Sequence, residues 1–432
     1  MTLEVMILSP DMTPLGLISQ MTALRWTQRV HTFGDFELWC PLNSANAELL
    51  KEENLVWIGT EEVAVIEGIQ KTKDSEDSLG LQVSGRFNEC WLERRVVWDR
   101  YSKTATPFTH MRNLVSANAV SPSISARKLP LVALMSESDP SSGSIALSAY
   151  GNNLWTALTD LGSAHGLFAR LSNDVPSKVS KFSVRKGTNR SREQTTVHSV
   201  VLSSELSDIL SFEYTSDSTS FTNAALVAGA GEGSARKTAS VNPSISGVAR
   251  RELYVDARDI SDQEPWDYVT TTTIKILKYD DEDNTVKVKT TVTTVFTNRR
   301  TGETETESTS SIAWESETPE EGSTTESGVE QRPIPIDYYT SLLVSRGEAK
   351  LSENPKVEAF NSQVRMQGSR AYTYGEDYFL GDRITVEDKD LLIQVSTEVT
   401  EVEQVWDDES YSVSLTLGTS APTITQLVKR RS

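Results

Sequence analysis

Apolar and polar residues alternate with a period of two along most of this chain, and that alternation predicts short β-strands. Leu24, Trp26, Gln28 and Val30 mark one strand. Phe36 and Leu38 mark the next, which starts at a Gly34-Asp35 turn and ends at Cys40-Pro41. Leu55–Ile58 and Val63–Ile69 follow, then a polar hairpin tip over 71–80, then Leu81, Val83 and Gly85. The period lengthens to that of a helix in few places. Asn43–Leu50 is a short helix capped by Asn43 or Ser44. Pro107–Ala117 carries Phe108, Met111, Leu114 and Val115 on one face, and Asn153–Leu167 carries Leu154, Trp155, Leu158 and Leu161. Between these two, 119–149 reads as Ser- and Pro-rich loop with one strand at Leu129–Met135. Asp337–Ser352 sets Tyr339, Leu342, Leu343 and Leu351 on its apolar side, with a break or bend expected near Gly347.

The middle of the chain is a meander. Phe182 and Val184, Val200 and Leu202, Phe212 and Tyr214, and Ala224–Ala228 lie in β-favouring runs cut by turn residues. Residues 261–331 change composition and become Thr-rich. Tyr268–Lys278, Thr285–Thr297 and Glu303–Trp314 predict three long strands of a two-sided, exposed sheet, with turns at 280–284 and 298–302. Residues 315–331 read as an acidic, flexible return. Strands resume over 357–366, 378–386, 391–402 and 411–417, and Gly381-Asp382 gives a sharp turn that aims Ile384 and Val386 inward.

Charge narrows the function classes. The 432 residues include 61 acidic and 42 basic ones, a formal net charge of −19, which argues against a general nucleic-acid coat. No apolar run is long enough to cross a membrane as a helix, and the first residues reach Asp11 too early for a signal peptide. Cys40 and Cys90 are expected to be free thiols.

Candidate chemistry is sparse. Gly229, Gly231 and Gly233 have the spacing G-x-G-x-G, and Lys237-Thr238 does not directly follow, so a tight turn outweighs a phosphate loop. Arg86, Arg94 and Arg95 are a candidate anion site or, with the carboxylate surplus, ion-pair partners. His110 and His165 have no second ligand at metal spacing. Glu252, Asp256 and Asp259 form a candidate carboxylate cluster, weighed against a strand edge laced by arginines. No catalytic, cofactor-binding or metal-binding residue is assigned, and no cofactor is expected.

Four motifs in 181–260 carry a resemblance: Phe182–Arg190 (F-x-V-x-x-G-T-x-R), Val201–Leu210, Tyr214–Arg236 and Arg251–Ile260. Together with F-G-D-F-E-L-W near the N-terminus and L-G-D-x-I-T-V at 380–386, they resemble the tail-hub proteins of long-tailed, siphovirus-type bacteriophages. The resemblance implies a mainly β fold with two tube-type β-barrel domains, a helix-bearing layer and a Thr-rich β insertion. The expected segments are 1–99, a first hub β domain; 100–180, the helix-bearing connection; 181–265, the second β domain's first part; 266–331, the insertion; and 332–432, a helix with the closing strands. It further implies a non-enzymatic virion protein at the distal tip of a non-contractile tail, assembled in the host cytoplasm. There it would form a homotrimer that meets the distal tail protein ring and the tape-measure protein and closes or gates the DNA channel. Tail fibre or receptor-binding proteins are expected partners through 266–331, and no cell-wall-degrading domain is expected before Ser432. A receptor-binding adhesin headed by 266–331, and a tail-tip enzyme using Glu252 or Asp256, are the alternatives.

Overall fold

The computed structural model describes residues 3–18, 20–73, 79–203, 205, 209–280, 285–364, 372–407 and 410–418. The expected turn at 280–284, the end of the 357–366 strand and the closing residues after Gly418 therefore lie partly or wholly outside the described residues. The fold is mainly β. Contacts divide it into a larger unit of Met1–Leu226, Ser240–Val255 and Ser345–Ser432, and a smaller unit of Val227–Ala239 and Asp256–Val344.

The larger unit is built on a sheet that joins the two ends of the chain. Ala23–Arg29 pairs with Asp35–Pro41 on one side and with Ile393–Asp407 on the other, both antiparallel. From there the order runs outward through Leu79–Phe87, Ala64–Lys73, Leu55–Trp57 and Met6–Leu8 to Pro14–Leu17. In the other direction it runs through Tyr411–Gly418 and Val357–Val364 to Ile209–Asp217, with Arg383–Asp388 and Val201–Ser203 branching from Ile393–Asp407. Arg29 crosses the junction and bonds Glu401 and Asp35, each at 2.6 Å. No closed barrel is formed by the described residues.

Alternation feeds two cores. Leu24, Trp26, Phe36, Leu38, Val56, Ile66 and Val83 bury on one face. Leu55 and Val65, one position out of phase, bury on the other beside the two helices. Those helices are Pro107–Val115, capped by Thr106, and Leu154–His165, capped by Asn153 and closed by Gly166 in the left-handed conformation. A third core gathers Leu202, Phe360, Ile384, Val386, Val402, Val413 and Leu415.

Several expectations need correction. The loop expected over 119–149 contains a second strand, Ile145–Ala149, which pairs with an unforeseen Tyr101–Ala105. Phe168–Asp174 is also a strand, paired with Val179–Arg185. The helix Ile336–Ser352 runs through Gly347 without interruption. A helical glycine costs about 1 kcal/mol relative to alanine but leaves the hydrogen-bond ladder intact.

The smaller unit holds a four-stranded antiparallel sheet in the order Thr304–Glu315, Thr285–Asn298, Gln263–Asp280, Gly322–Pro333. The three expected strands are present. The flexible return is not: 322–333 is a fourth strand, paired with Gln263–Ile274 over its full length. It has no apolar alternation to announce it, and its order comes from the unpaired edge that the long first strand offers. Tyr339 anchors the segment below this sheet, its hydroxyl accepting from Ala230 N–H at 2.8 Å and donating to Ile260 C=O at 3.0 Å.

Candidate functional site

Two of the sequence motifs meet in the larger unit. Gly381 turns with φ +87°, which a side chain would strain, and its carbonyl oxygen occupies the place a Gly187 Cβ would need, 1.6 Å away. Asp382, next in the chain, is buried. It accepts from Thr188 N–H at 2.7 Å, Phe379 N–H at 3.0 Å and Arg190 Nε at 2.8 Å. The G-T-x-R and L-G-D runs are therefore two halves of one junction. The turn at Gly381 was legible in sequence; its partner was not.

A second polar cluster is unannounced by any motif. Tyr374 O–H donates to Gln28 Oε1, and Gln28 Nε2 donates to the buried Glu62 at 2.5 Å. Burial pushes the Glu62 carboxyl up from the usual carboxylate range, helped by the charge of Glu61, which is itself held low by Arg185. Glu89 is likewise buried and pushed up, opposed by Arg170 3.8 Å away. Adjacent glutamates at 61–62 were the available signal; burial of one of them depends on long-range packing.

The remaining candidates separate. Arg86 bonds Glu67 at 2.7 Å and Glu93 at 2.5 Å, and Arg94 bonds Glu53 at 2.7 Å. Arg95 instead donates to the carbonyls of Arg127 and Arg94. Arg94 and Arg95 line a cleft of about 420 Å³ floored by Trp91, Leu129 and Leu131, with Glu53 and Asp11 on its wall. Acid and base alternate there, which disfavours a dedicated anion site. His110 is buried, its Nε2 on the Ile145 carbonyl at 3.0 Å and its Nδ1 beside Tyr101 O–H at 2.7 Å, so both ring nitrogens are used in packing. Glu252 pairs with Arg250 at 2.6 Å. Asp256 pairs with Arg258 at 2.6 Å and Arg236 at 3.2 Å, which hold its carboxyl low. A carboxyl held low, as that of Asp256 is, makes a poor general acid at neutral pH. Among the glycines, Gly231 and Gly233 have positive φ and open a short 3-10 turn, while Lys237 pairs with Asp262 at 2.8 Å. The loop is a turn with its lysine occupied.

The Thr-rich sheet has two unlike faces. Register places Thr325, Thr271, Thr293 and Ser308 in one row and Ser323, Thr273, Thr291 and Ser310 in the next. Cross-strand hydroxyl bonds follow, Thr273 to Ser323 at 2.9 Å and Thr293 to Ser308 at 3.0 Å. The opposite face carries Trp266 and Phe296, with the Arg332 guanidinium 3.8 Å over the Phe296 ring, and the edge carboxylates Glu305, Glu307, Glu326 and Glu330.

The mainly β fold of this chain is one that solved phage tail proteins share. The chain belongs to the Siphovirus ReqiPepy6 Gp37-like protein family, whose model matches residues 4–419. No curated protein matches it. Among solved structures it is similar to the 43 kDa tail protein of prophage MuSo2 from Shewanella oneidensis, at 11% identity and a TM-score of 0.53, covering 96% of this chain and 98% of that one. It also matches a tail protein from Neisseria meningitidis MC58, at 12% identity and a TM-score of 0.49, covering 96% and 95%. A third match is prophage tail protein gp18 from Listeria monocytogenes EGD-e, at 10% and 0.47, covering 99% and 98%.

Proposed function

We propose that this protein is the hub at the distal tip of a non-contractile phage tail. Three copies form a ring that meets the distal tail protein and the end of the tape-measure protein, and it closes or gates the DNA channel. The observation that carries this reading is the family match over 4–419, supported by a shared fold along nearly the whole of the MuSo2 tail protein. Among the described residues the larger unit's sheet ends at Pro14–Leu17, at Ile209–Asp217 and, on its branch, at Val201–Ser203. Open edges are places where neighbouring chains add strands. In a ring, copies completing one another's edges would build the tube-type β walls, and two β domains in each of three copies would give the pseudo-sixfold symmetry a sixfold tail tube needs. The net charge of −19 would keep DNA from adhering as it passes.

The test is solution mass by light scattering, with and without the distal tail protein ring. A mass three times the 47.8 kDa of the chain, alone or on the ring, is expected. A monomer indifferent to that ring would overturn the hub reading.

A further inference from the structure

We propose that one end of the hydroxyl face of the Thr-rich sheet is a binding surface for an anionic polysaccharide. This goes beyond the hub reading and stands without it. Lys275 lies directly opposite Lys289, which lies opposite Ile312; Lys278 lies opposite Lys287, which lies opposite Trp314. Lys275 and Lys278 are three apart, a spacing that in a regular strand puts them on opposite faces. The β-bulge between Ile276 and Lys278 brings them to the same one.

Like charges directly opposite on neighbouring strands sit with Cβ atoms about 4.5–5.5 Å apart and destabilise the pair. Here two such pairs lie in neighbouring rows. Among the described residues none of the four lysines has a carboxylate partner; Lys287 instead lies 5.7 Å from the Trp314 ring. Asp280, in the next row, and Glu321, next to Gly322 opposite Ile274, are described carboxylates at this end of the sheet. Glu315 lies opposite Val286 on the other face, and Glu321 accepts from Ile276 N–H. Among the described residues no ion pair offsets these lysine pairs, and an anionic ligand explains a cationic patch held at a cost to folding.

The neighbouring groups select which anion. Trp314 is 47% and Ile312 56% exposed, and a broad exposed ring at the patch edge suits the apolar face of a sugar. The two rows of serine and threonine adjoining the lysines offer donors and acceptors to a hydroxylated polymer. Protein interface cores are depleted in lysine and serine. Single-stranded nucleic acid calls for successive aromatic platforms, whereas these rows hold one.

The test uses the full chain against alginate, neutral dextran, poly-L-glutamate and oligo(dT), by calorimetry at low and moderate salt. Alginate is expected to bind at low salt and weaken as salt rises, and dextran to show no binding. K278T/K287T and K275T/K289T are each expected to weaken alginate binding at least tenfold, with W314A weakening it several-fold and K51T leaving it unchanged. Both double variants are expected to melt at or above the parent temperature, since each removes a repulsive pair. Absence of alginate binding at low salt, or equal binding by the double variants, would overturn the proposal. So would a clear fall in their melting temperature, which would make the lysines structural. Tighter binding of poly-L-glutamate or oligo(dT) than of alginate would also overturn it and assign the patch to a protein or nucleic-acid partner.

Discussion

Asp382 is bonded to residues more than 190 positions away, and its side chain is only 4% exposed against 19% for Arg190. Removing one partner of a buried, hydrogen-bonded pair leaves the other charge unpaired and costs about 3–5 kcal/mol. Asp382→Ala is therefore expected to lose that much in urea unfolding. Asp382→Asn keeps one acceptor oxygen, enough for either Thr188 or Phe379 but not both, and is expected to lose less than alanine. Equal losses would mean that the charge, and not the remaining hydrogen bond, carries the stability. Glu398 tests a different kind of residue. It is opposite Arg383 on the neighbouring strand, but burial outweighs that cation and pushes its carboxyl up to about 7. A carboxyl whose pKa is higher folded than unfolded contributes stability that is complete below its unfolded value, near 4.5, and is lost as pH rises through 7. Glu398→Gln is therefore expected to be more stable than the parent at pH 8, by on the order of 2 kcal/mol. The two should converge below about pH 4.5. Parallel stability curves from pH 4 to 8 would contradict the burial of this group.

At the scale of elements, the smaller unit's sheet gives the sharpest contrast between pattern and outcome. In the strand Gly322–Pro333, alternate amides face Gln263–Ile274 and the others face solvent. Hydrogen exchange is expected to slow every second amide of 322–333, while Thr285–Asn298, paired on both sides, is slowed throughout. Uniformly fast exchange over 322–333 would return that stretch to a loop. The alternation of Leu24, Trp26, Phe36 and Leu38 made the first strands readable because one face of each meets a core. The stretch 322–333 was unreadable because it buries almost nothing and owes its conformation to a partner over 40 positions away. Tyr101–Ala105 and Ile145–Ala149 failed for a related reason, being too short for a period to register. The arginine ion pairs at Arg86 and Arg94 followed from charge surplus alone. The Asp382 junction and the lysine rows did not, since each depends on register. In the second case a single bulge decides which face Lys278 occupies.

At the scale of the whole molecule, the sheet that joins Ala23–Arg29 to Ile393–Asp407 sets how the chain can be cut. Arg29 to Glu401 and Arg25 to Glu403 bridge the seam, and Trp406 packs against the core that holds Trp26 and Phe36. A fragment ending at residue 180 keeps both helices and most of the N-terminal strands, though it divides Val179–Arg185. It nevertheless loses the strand that covers Ala23–Arg29, exposing a seven-residue edge beside a large apolar core. An uncovered edge of that kind templates association. The fragment 1–180 is expected to aggregate or melt without cooperativity when made alone, and to become soluble when made together with 181–432, which supplies Ile393–Asp407. The complemented pair should elute together and melt as one transition. A monomeric 1–180 with its own cooperative melt would show instead that the N-terminal strands are self-sufficient and that the seam is a docking contact. One sheet runs through strands from both the early and the late parts of the chain. Pulling the ends apart then shears a ladder of backbone hydrogen bonds rather than parting two separately folded halves.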